Sequence, residues 1–366
     1  MRISLTKPYF TNEESIEVAK VLESGWVMQG EKVQLFEREI SSYVGTKFAV
    51  AVSSGTNALH LALISLGIKK EDEVIVPSFS FIASANSILY TGATPIFADI
   101  DPKTYNIDPK DIERKITKKT KAIMAVHQVG LPADMDSIIG IAKKNNLLVI
   151  EDAACSLGAT YRGKQTGSFG NIACFSFHPR KSITTAEGGM VVTNNKKIYE
   201  LLKSLRSHGV IKRGNEESYP YLGYNFRMTD VHAAIGLAQF KKLDYLLAKR
   251  IEIAEKYNEA FSDFKNIVIP FTPLNSTHTY QSYLLRVKGG RAKRDLVLKK
   301  LEKKGVSSRA SVMAIHREPL YSKMFEKISL PKTESANDEG LIIPLYVQMT
   351  EKEQKFVIKV IKEAAS

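Results

Sequence analysis

Cysteine is scarce in this sequence, and its scarcity excludes several classes of protein. Of 366 residues only Cys155 and Cys174 are cysteines. We therefore predict neither a disulfide framework nor a paired-cysteine metal motif, and we expect no metal. A long apolar run is also missing, because no stretch approaches the roughly 20 residues needed to cross a bilayer. Residues 1–4 lead into a polar, proline-containing segment rather than an apolar signal region. These features predict a cytoplasmic protein that is not embedded in a membrane.

Internal repeats and low-complexity segments are absent as well, and the basic residues are not gathered in one tail. The chain has 52 Lys and Arg against 39 Asp and Glu, a formal net charge of +13. Because the excess lysines are spread along the chain, they indicate solvated helix ends and loops, and we expect no nucleic-acid partner. The positive field favours a diphosphate-bearing substrate. A non-catalytic regulatory or nucleic-acid-binding role stays open as an alternative, motivated by the charge alone.

Short β-branched runs alternate with amphipathic helical stretches over the first part of the chain. The patterns predict helices that include 57–66 and 135–144, and strands at 48–52, 73–76, 95–100, 121–129, 147–150, 172–177 and 190–193. Alternation of this kind is typical of an α/β fold with a largely parallel sheet covered by helices on both faces. Ligands then bind beyond the carboxyl ends of the strands.

The pattern changes after about Asp244. A long helix is predicted at 245–261, followed by a loop at 270–275, a strand near 283–287, a helix at 293–304, a strand after Val306 and a closing helix from Glu351. A chain of this length accommodates two domains of roughly 100–200 residues each. We predict a large α/β domain at 1–244 and a smaller α+β domain at 245–366.

Two charged residues lie near the predicted ligand-binding edge. Asp152 follows a buried strand, and Lys181 lies in the loop after the next strand. Together they suggest a pyridoxal phosphate site, in which Lys181 forms a Schiff base with the aldehyde and Asp152 keeps the pyridine nitrogen protonated. The segment 53–59 follows a strand and opens a helix, which makes it a candidate phosphate cradle, with Ser176 as a further hydroxyl. An ordinary helix cap at 53–59, a helix-capping Asp152 and a surface Lys181 are the alternatives.

A series of short motifs resembles the DegT/DnrJ/StrS family of sugar aminotransferases over nearly the whole chain. No single motif is decisive, but their order and spacing together are specific. The motifs are SGW at 24–26, SSGT at 53–56, PSF at 77–79, PADM at 132–135, IEDAA at 150–154, SLGA at 156–159, GSFG at 167–170, FSFHP at 175–179, EGGM at 187–190, GYNFRMTD at 223–230 and IPLY at 343–346.

The resemblance implies a fold-type-I homodimer with active sites at the subunit interface, a large domain that binds pyridoxal phosphate, and an N-terminal segment for substrate and dimer contacts. Lys181 would be the Schiff-base lysine and the proton carrier, and Asp152 the partner of the pyridinium. Phe81 would stack on the cofactor ring. The phosphate would be held by Gly55, Thr56 and Ser176, and by Asn225 of the neighbouring subunit. Taken alone, a phenylalanine such as Phe81 is more often a core aromatic, and an asparagine such as Asn225 is more often a turn residue.

The same resemblance implies an activity. Glutamate would give its amino group to the cofactor, and a nucleotide-linked keto sugar, most simply a 4-keto-6-deoxy sugar, would receive it in a ping-pong reaction serving amino-sugar or polysaccharide biosynthesis. Lys181 matters here because relatives that dehydrate sugars have histidine in its place. Cys155, placed near the cofactor ring, departs from the histidine or glutamine of many relatives. Another fold-type-I enzyme, such as a lyase or an amino-acid aminotransferase, is the alternative.

Substrate contacts are the least determined part of the prediction. By resemblance, Trp26 and Gln29 belong to a segment that contacts substrate, and Arg309 and His316 to a stretch that reaches towards the partner's active site. His127 ends a strand that faces the predicted cleft. An arginine at such a site binds a diphosphate bidentately, although a structural salt bridge is equally compatible with the sequence.

Overall fold

The computed structural model describes residues 2–325 and 328–366. Its helices are α1 (Asn12–Glu23), α2 (Glu31–Val44), α3 (Gly55–Ser65), α4 (Ala83–Tyr90), α5 (Pro109–Lys115), α6 (Met135–Lys144), α7 (Lys196–Arg206), α8 (Asp230–Phe240), α9 (Leu243–Phe261), α10 (Gly290–Lys303), α11 (Pro319–Met324), α12 (Pro331–Glu339) and α13 (Glu351–Ala365), with short 3-10 turns at Gln128–Gly130 and Ile315–Arg317. Within these described residues, no helix is both long and apolar enough to cross a membrane.

Four sheets contain the strands. In chain order these are β1 (Phe48–Val52), β2 (Glu73–Pro77), β3 (Thr94–Ala98), β4 (Thr120–Val126), β5 (Leu148–Asp152), β6 (Thr160–Tyr161), β7 (Lys164–Gln165), β8 (Ile172–Ser176), β9 (Gly189–Thr193), β10 (Ile211–Arg213), β11 (Glu216–Ser218), β12 (Ile267–Val268), β13 (Ser276–Thr277), β14 (Tyr283–Val287), β15 (Arg309–Ala310) and β16 (Gly340–Ile343).

The largest sheet has seven strands in the order β1-β9-β8-β5-β4-β2-β3. Its neighbours are parallel from β8 through β5, β4 and β2 to β3, while β9 runs antiparallel to both β1 and β8. The sheet is therefore mixed and mostly parallel. The carboxyl ends of β4, β5 and β8 meet at one edge, and this edge positions the site.

Alternate side chains of the strands enter hydrophobic clusters on opposite faces of this sheet, as the two-residue period of a strand requires. In β1, Val50 and Val52 pack with helices α3 and α7 on one face, while Ala49 and Ala51 pack with α2 on the other. Both faces of the sheet are thus buried. Consecutive residues of a strand are therefore apolar, which explains the continuous apolar runs in the sequence.

The second sheet is antiparallel, in the order β12-β14-β16-β15. The buried members of its hydrophobic cluster come from Ile253 onwards, with one addition from the start of the chain: Ile3, which is fully buried and pairs with Val306. We propose on this basis that the domains divide as 1–244 and 245–366, with Ile3 packed against the smaller one. The helix α9 begins at Leu243, at this boundary.

The predicted strand that departs most from the observed bounds is the one at 121–129. The apolar run 121–129 suggested a strand to Val129, but β4 ends at Val126 and the chain turns at Gln128–Gly130. Val129 adopts a positive φ of 48°, which a strand does not tolerate. This turn places Gln128 and Val129 at the edge of the sheet where the cavity described below opens.

Candidate active site

A cavity of about 290 Å³ opens at the carboxyl ends of the parallel strands. Side chains from both the seven-stranded sheet and the second sheet line it, so residues far apart in sequence face one space. Of the residues predicted for the site, the cavity brings together Gly55, Thr56, Phe81, Asp152, Cys155, Ser176, Lys181 and Arg309.

The amino end of α3 forms one wall of the cavity. Ser54 caps this helix, because its hydroxyl accepts a hydrogen bond from the Asn57 backbone N–H at 3.1 Å. At Gly55 the backbone passes so close to β8 that a Cβ atom there would lie 2.7 Å from the Cβ of Ser176. Backbone N–H groups at a helix start attract anions. The missing Cβ therefore makes Gly55, Thr56 and Ser176 a compact anion cradle that fits a phosphate.

Asp152 ends β5 with a side chain that is only 5% exposed. One carboxylate oxygen accepts a hydrogen bond from the Ser84 hydroxyl at 2.7 Å, and the other accepts one from the Ala154 backbone N–H at 3.2 Å. The Ser84 hydroxyl is in turn 2.8 Å from that of Ser80. Sequence reasoning missed these two serines, although their spacing of four residues around Phe81 was visible.

Lys181 lies in the loop between β8 and β9. Its backbone N–H donates to the His178 carbonyl at 2.8 Å, and its Nζ is 3.1 Å from the Sγ of Cys155. Cys155 is thus half-buried beside the lysine and does not belong to the core. Burial lowers the pKa of His178, and the neighbouring charges of Arg180 and Lys181 lower it further against the opposing effect of Glu187. The histidine is therefore neutral at physiological pH.

Phe81 is 55% exposed and lines the cavity. The alternative that it is a core aromatic is therefore wrong, and its ring is available to a flat ligand. Gln128 lies nearby and donates a side-chain hydrogen bond to the Phe79 carbonyl, which fixes the segment that carries Phe81. The set Lys181, Asp152, Phe81 and the anion cradle has the donors and acceptors that pyridoxal phosphate needs.

Two arginines also line the cavity. Arg309 comes from β15, and Arg180 directly precedes Lys181. Gln281 donates to the Arg180 carbonyl at 2.6 Å and so ties this loop to the second sheet. Burial lowers the pKa of Arg309, and repulsion from Arg180 lowers it further. Arg180 and Gln281 were not singled out from the sequence, and no sequence signal beyond the proximity of Arg180 to Lys181 marks them.

Two predicted substrate contacts are corrected by the structure. His127 is fully buried: its Nδ1 accepts from the Ala133 N–H at 3.0 Å, and its Nε2 lies 2.9 Å from the Glu151 carboxylate. His316 is also buried, with ring nitrogens 2.7 Å from the Ser78 hydroxyl and 3.2 Å from Glu334. Both rings already have partners for both nitrogens, and neither lines the cavity.

Three further residues lie outside the cavity of their own chain. Trp26 is exposed and donates its indole N–H to the Gln29 carbonyl at 3.3 Å. The Gln29 side chain lines a separate surface concavity. Asn225 is exposed, and its backbone bridges to Ser207. In the described part of one chain these three residues do not line the cavity, so the roles predicted for them depend on a second subunit.

Comparison with known proteins agrees with this geometry. Residues 8–362 match the DegT/DnrJ/EryC1/StrS aminotransferase family. GDP-perosamine synthase of Caulobacter vibrioides is 41% identical over 353 residues, which cover 96% of this chain and 95% of that protein. Two solved structures each cover 100% of this chain and 99% of their own. A Streptococcus pneumoniae protein in its PLP form has a TM-score of 0.96 at 29% identity. Helicobacter pylori PseC, an aminotransferase involved in the biosynthesis of pseudoaminic acid, has a TM-score of 0.95 at 30% identity.

The chain belongs to the DegT/DnrJ/EryC1/StrS aminotransferase family. Its fold is the fold-type-I aminotransferase fold, as the motifs predicted. The predictions of a pyridoxal-phosphate-dependent aminotransferase and of its cofactor are likewise confirmed. The alternative of a non-catalytic regulator, which depended only on net charge, has no support in these findings.

Proposed function

We propose that this protein transfers an amino group from glutamate to a nucleotide-linked keto sugar, most simply a 4-keto-6-deoxy sugar. The observation that carries the proposal is that Gly55, Asp152 and Lys181 converge on one cavity in a chain of this family. The sugar substrate is supported by the 41% identity to a GDP-perosamine synthase, whose name specifies a nucleotide-linked amino sugar. A GDP-linked acceptor is the first candidate on the same ground.

The residues that line the cavity would then hold the cofactor. Gly55, Thr56 and Ser176 bind the cofactor phosphate, Phe81 covers one face of the ring, and Asp152 holds the ring nitrogen. Ser84 keeps the Asp152 carboxylate oriented through its 2.7 Å hydrogen bond. Bound pyridoxal phosphate would supply an aldehyde carbon that accepts the amino group, and a ring that withdraws electrons from the reacting carbon.

Lys181 performs the proton transfers. With pyridoxal phosphate bound, its amine would take the proton from the donor carbon that bears nitrogen, as a base, and would then deliver that proton as an acid. Cys155, 3.1 Å from Nζ, limits the positions that the freed amine occupies. Glutamate and the sugar use the same cavity in turn, which predicts ping-pong kinetics.

We also propose a homodimer in which each subunit completes the site of the other. The exposed positions of Trp26 and Asn225, both outside the cavity of their own chain, support this arrangement. Asn225 would reach the partner's cofactor phosphate, and the segment with Trp26 and Gln29 would approach the partner's substrate.

Lys181→Ala tests the proposal, with Lys118→Ala at an exposed surface position as the matched control. We expect Lys181→Ala to lose both the visible absorbance band of lysine-bound cofactor and all turnover, because among the described residues Lys181 is the lysine that lines the cavity. The control should keep both. Normal turnover in Lys181→Ala would refute the assignment.

Glutamate added to the cofactor-loaded wild type should convert the visible band to that of the amine form of the cofactor, and a GDP-linked keto sugar should restore it. A loaded protein that does not respond to glutamate would refute the donor and favour a lyase. Response to glutamate together with exchange only between amino acids would favour an amino-acid aminotransferase.

A further inference from the structure

The backbone next to Lys181 is held by a residue that is distant in sequence. The Gln281 side chain donates a hydrogen bond from its Nε2 to the Arg180 carbonyl at 2.6 Å. Within the described residues, the other hydrogen bonds of the 178–183 backbone join neighbours inside 176–181. Gln281 therefore provides the long-range hydrogen bond to the backbone of this loop.

The peptide group between residues 180 and 181 is held at both ends. The Arg180 carbonyl and the Lys181 N–H belong to the same planar group. The N–H donates to the His178 carbonyl at 2.8 Å, while Gln281 donates to the carbonyl at the opposite end. Rotation of the plane would break at least one of these bonds. Gln281 thus limits the directions in which the Lys181 side chain can leave the backbone.

Gln281 lies in a strained turn and is only 7% exposed. The residue before it, Tyr280, has a φ of 46°, in the left-handed region that residues with a bulky side chain rarely adopt. The Tyr280 N–H donates to the His278 ring at 3.0 Å. The turn also approaches Gly130 so closely that a Cβ there would lie 3.1 Å from the Gln281 nitrogen. Strain of this kind persists where the surroundings fix the conformation, so the turn keeps Gln281 in place.

A buried arginine binds the carbonyl groups of the same turn. Arg250 of α9 is 4% exposed, and its Nη1 donates to the carbonyls of Tyr280 and Gln281 at 3.3 and 3.2 Å. Within residues 2–325 and 328–366, no carboxylate oxygen lies within 4.0 Å of its guanidinium nitrogens. Burial lowers the pKa of Arg250 to about 10. Because a buried charge without a counter-ion costs stability, we assign Arg250 a task in fixing the turn.

We propose, building on the role proposed for Lys181, that Gln281 is a positioning residue for this lysine and that Arg250 acts through Gln281. Gln281 also lines the cavity, so direct contact with the cofactor is the alternative. Two forms of the cofactor separate these possibilities. Pyridoxal phosphate bonds to the lysine through its aldehyde, whereas pyridoxamine phosphate has an amine instead and binds without that bond. Positioning affects the first form alone.

Gln281→Met removes the donor at similar size, and Gln34→Met on the exposed face of α2 is the matched control. In a spectral titration of the full chain freed of cofactor, Gln281→Met should raise the Kd for pyridoxal phosphate about 3–10-fold, as for loss of one neutral hydrogen bond. Its Kd for pyridoxamine phosphate, measured by calorimetry, should equal that of wild type. The control should change neither value. An equal rise for both forms, or no rise for either, would overturn the proposal.

The Lys181→Ala background gives an independent test. With the lysine absent, Gln281→Met should no longer change the Kd for pyridoxal phosphate, because the two side chains act as one unit. A further loss of affinity in the double variant would refute positioning and assign Gln281 to the cofactor itself. If Lys181→Ala alone keeps the visible band of lysine-bound cofactor, the role proposed for Lys181 falls. Failure of the Gln281 variants alone leaves that role intact.

Arg250→Met tests the second step, with Arg38→Met on the exposed face of α2 as the control. Arg250→Met should raise the Kd for pyridoxal phosphate about as much as Gln281→Met does, and Arg250→Lys, which keeps a donor, should recover part of the affinity. In the Gln281→Met background neither substitution should weaken binding further. Should Arg250→Met fail to fold, Arg250→Lys gives the same comparison. Additive losses in the double variant would contradict action through Gln281.

Discussion

Replacing Glu151 with glutamine should destabilise the whole chain, although the two side chains have nearly the same shape. Glu151 is fully buried at the end of β5, next to Asp152. One carboxylate oxygen accepts from the backbone N–H groups of Phe169 and Gly170, at 2.8 and 2.7 Å. The other accepts from the Gly167 N–H at 2.7 Å and from His127 at 2.9 Å. The carboxylate thus holds the loop 167–170 against the sheet.

A glutamine supplies one oxygen but puts an NH₂ group in place of the other. His127 cannot adapt by changing tautomer, since its Nδ1 already accepts from the Ala133 N–H and its proton therefore sits on Nε2. The NH₂ group would face donors, and at least one buried N–H would lose its partner at a cost of about 1–3 kcal/mol. With the lost charge-assisted bonds, we expect a total of roughly 3–5 kcal/mol, a large part of the ~5–15 kcal/mol that stabilises a domain.

Calorimetric melting measures this effect. Glu151→Gln should lower the Tm by roughly 5 °C or more, given a few degrees per kcal/mol for large domains. Glu23→Gln at the exposed end of α1 is the control and should stay within about 0.5 kcal/mol of wild type. If the Tm of Glu151→Gln equals that of this control, the assignment of four hydrogen bonds to the buried Glu151 carboxylate is refuted.

Gly55→Ala should abolish tight cofactor binding, because its Cβ would lie 2.7 Å from that of Ser176, whereas Gly140→Ala in α6, where a Cβ meets no atom within 4 Å, should bind normally. Equal cofactor affinity of the two variants in a spectral titration would contradict the cradle. Burial lowers the pKa of His278 to about 3 from 6.5. Below pH 6.5 this histidine is protonated in the unfolded chain but stays neutral in the folded one. The free energy of unfolding should therefore fall on acidification, by up to about 1.4 kcal/mol per pH unit. His278→Gln should show a shallower fall of Tm between pH 7 and 5, and an unchanged slope would exclude His278 as its source.

Local patterns were sufficient for much of the fold. The strand at 48–52, the helix at 135–144 and the strand at 283–287 were predicted with the observed bounds, because side-chain period and turn residues depend on near neighbours in sequence. The prediction that ligands bind beyond the carboxyl ends of the parallel strands placed Asp152 and the Gly55 cradle at the cavity, although the exact ends of these strands differed from the predicted ones. The predicted strand at 121–129 was too long, since an apolar run does not reveal a turn that breaks it.

Tertiary structure decided which polar side chains face the cavity. His127 was a candidate because it ends a strand that faces the predicted cleft, and His316 because of the family resemblance. In the folded chain both are buried, and their ring nitrogens lie within hydrogen-bond distance of Glu151 and Ser78. Whether a side chain is free for a ligand depends on partner atoms from distant segments, and no local pattern records them. For the same reason only the folded chain shows that Arg180, from the loop after β8, lines the same cavity as Arg309 of the second sheet. The sequence alone determined the cofactor chemistry, and the packing of the two sheets decided which side chains line the cavity.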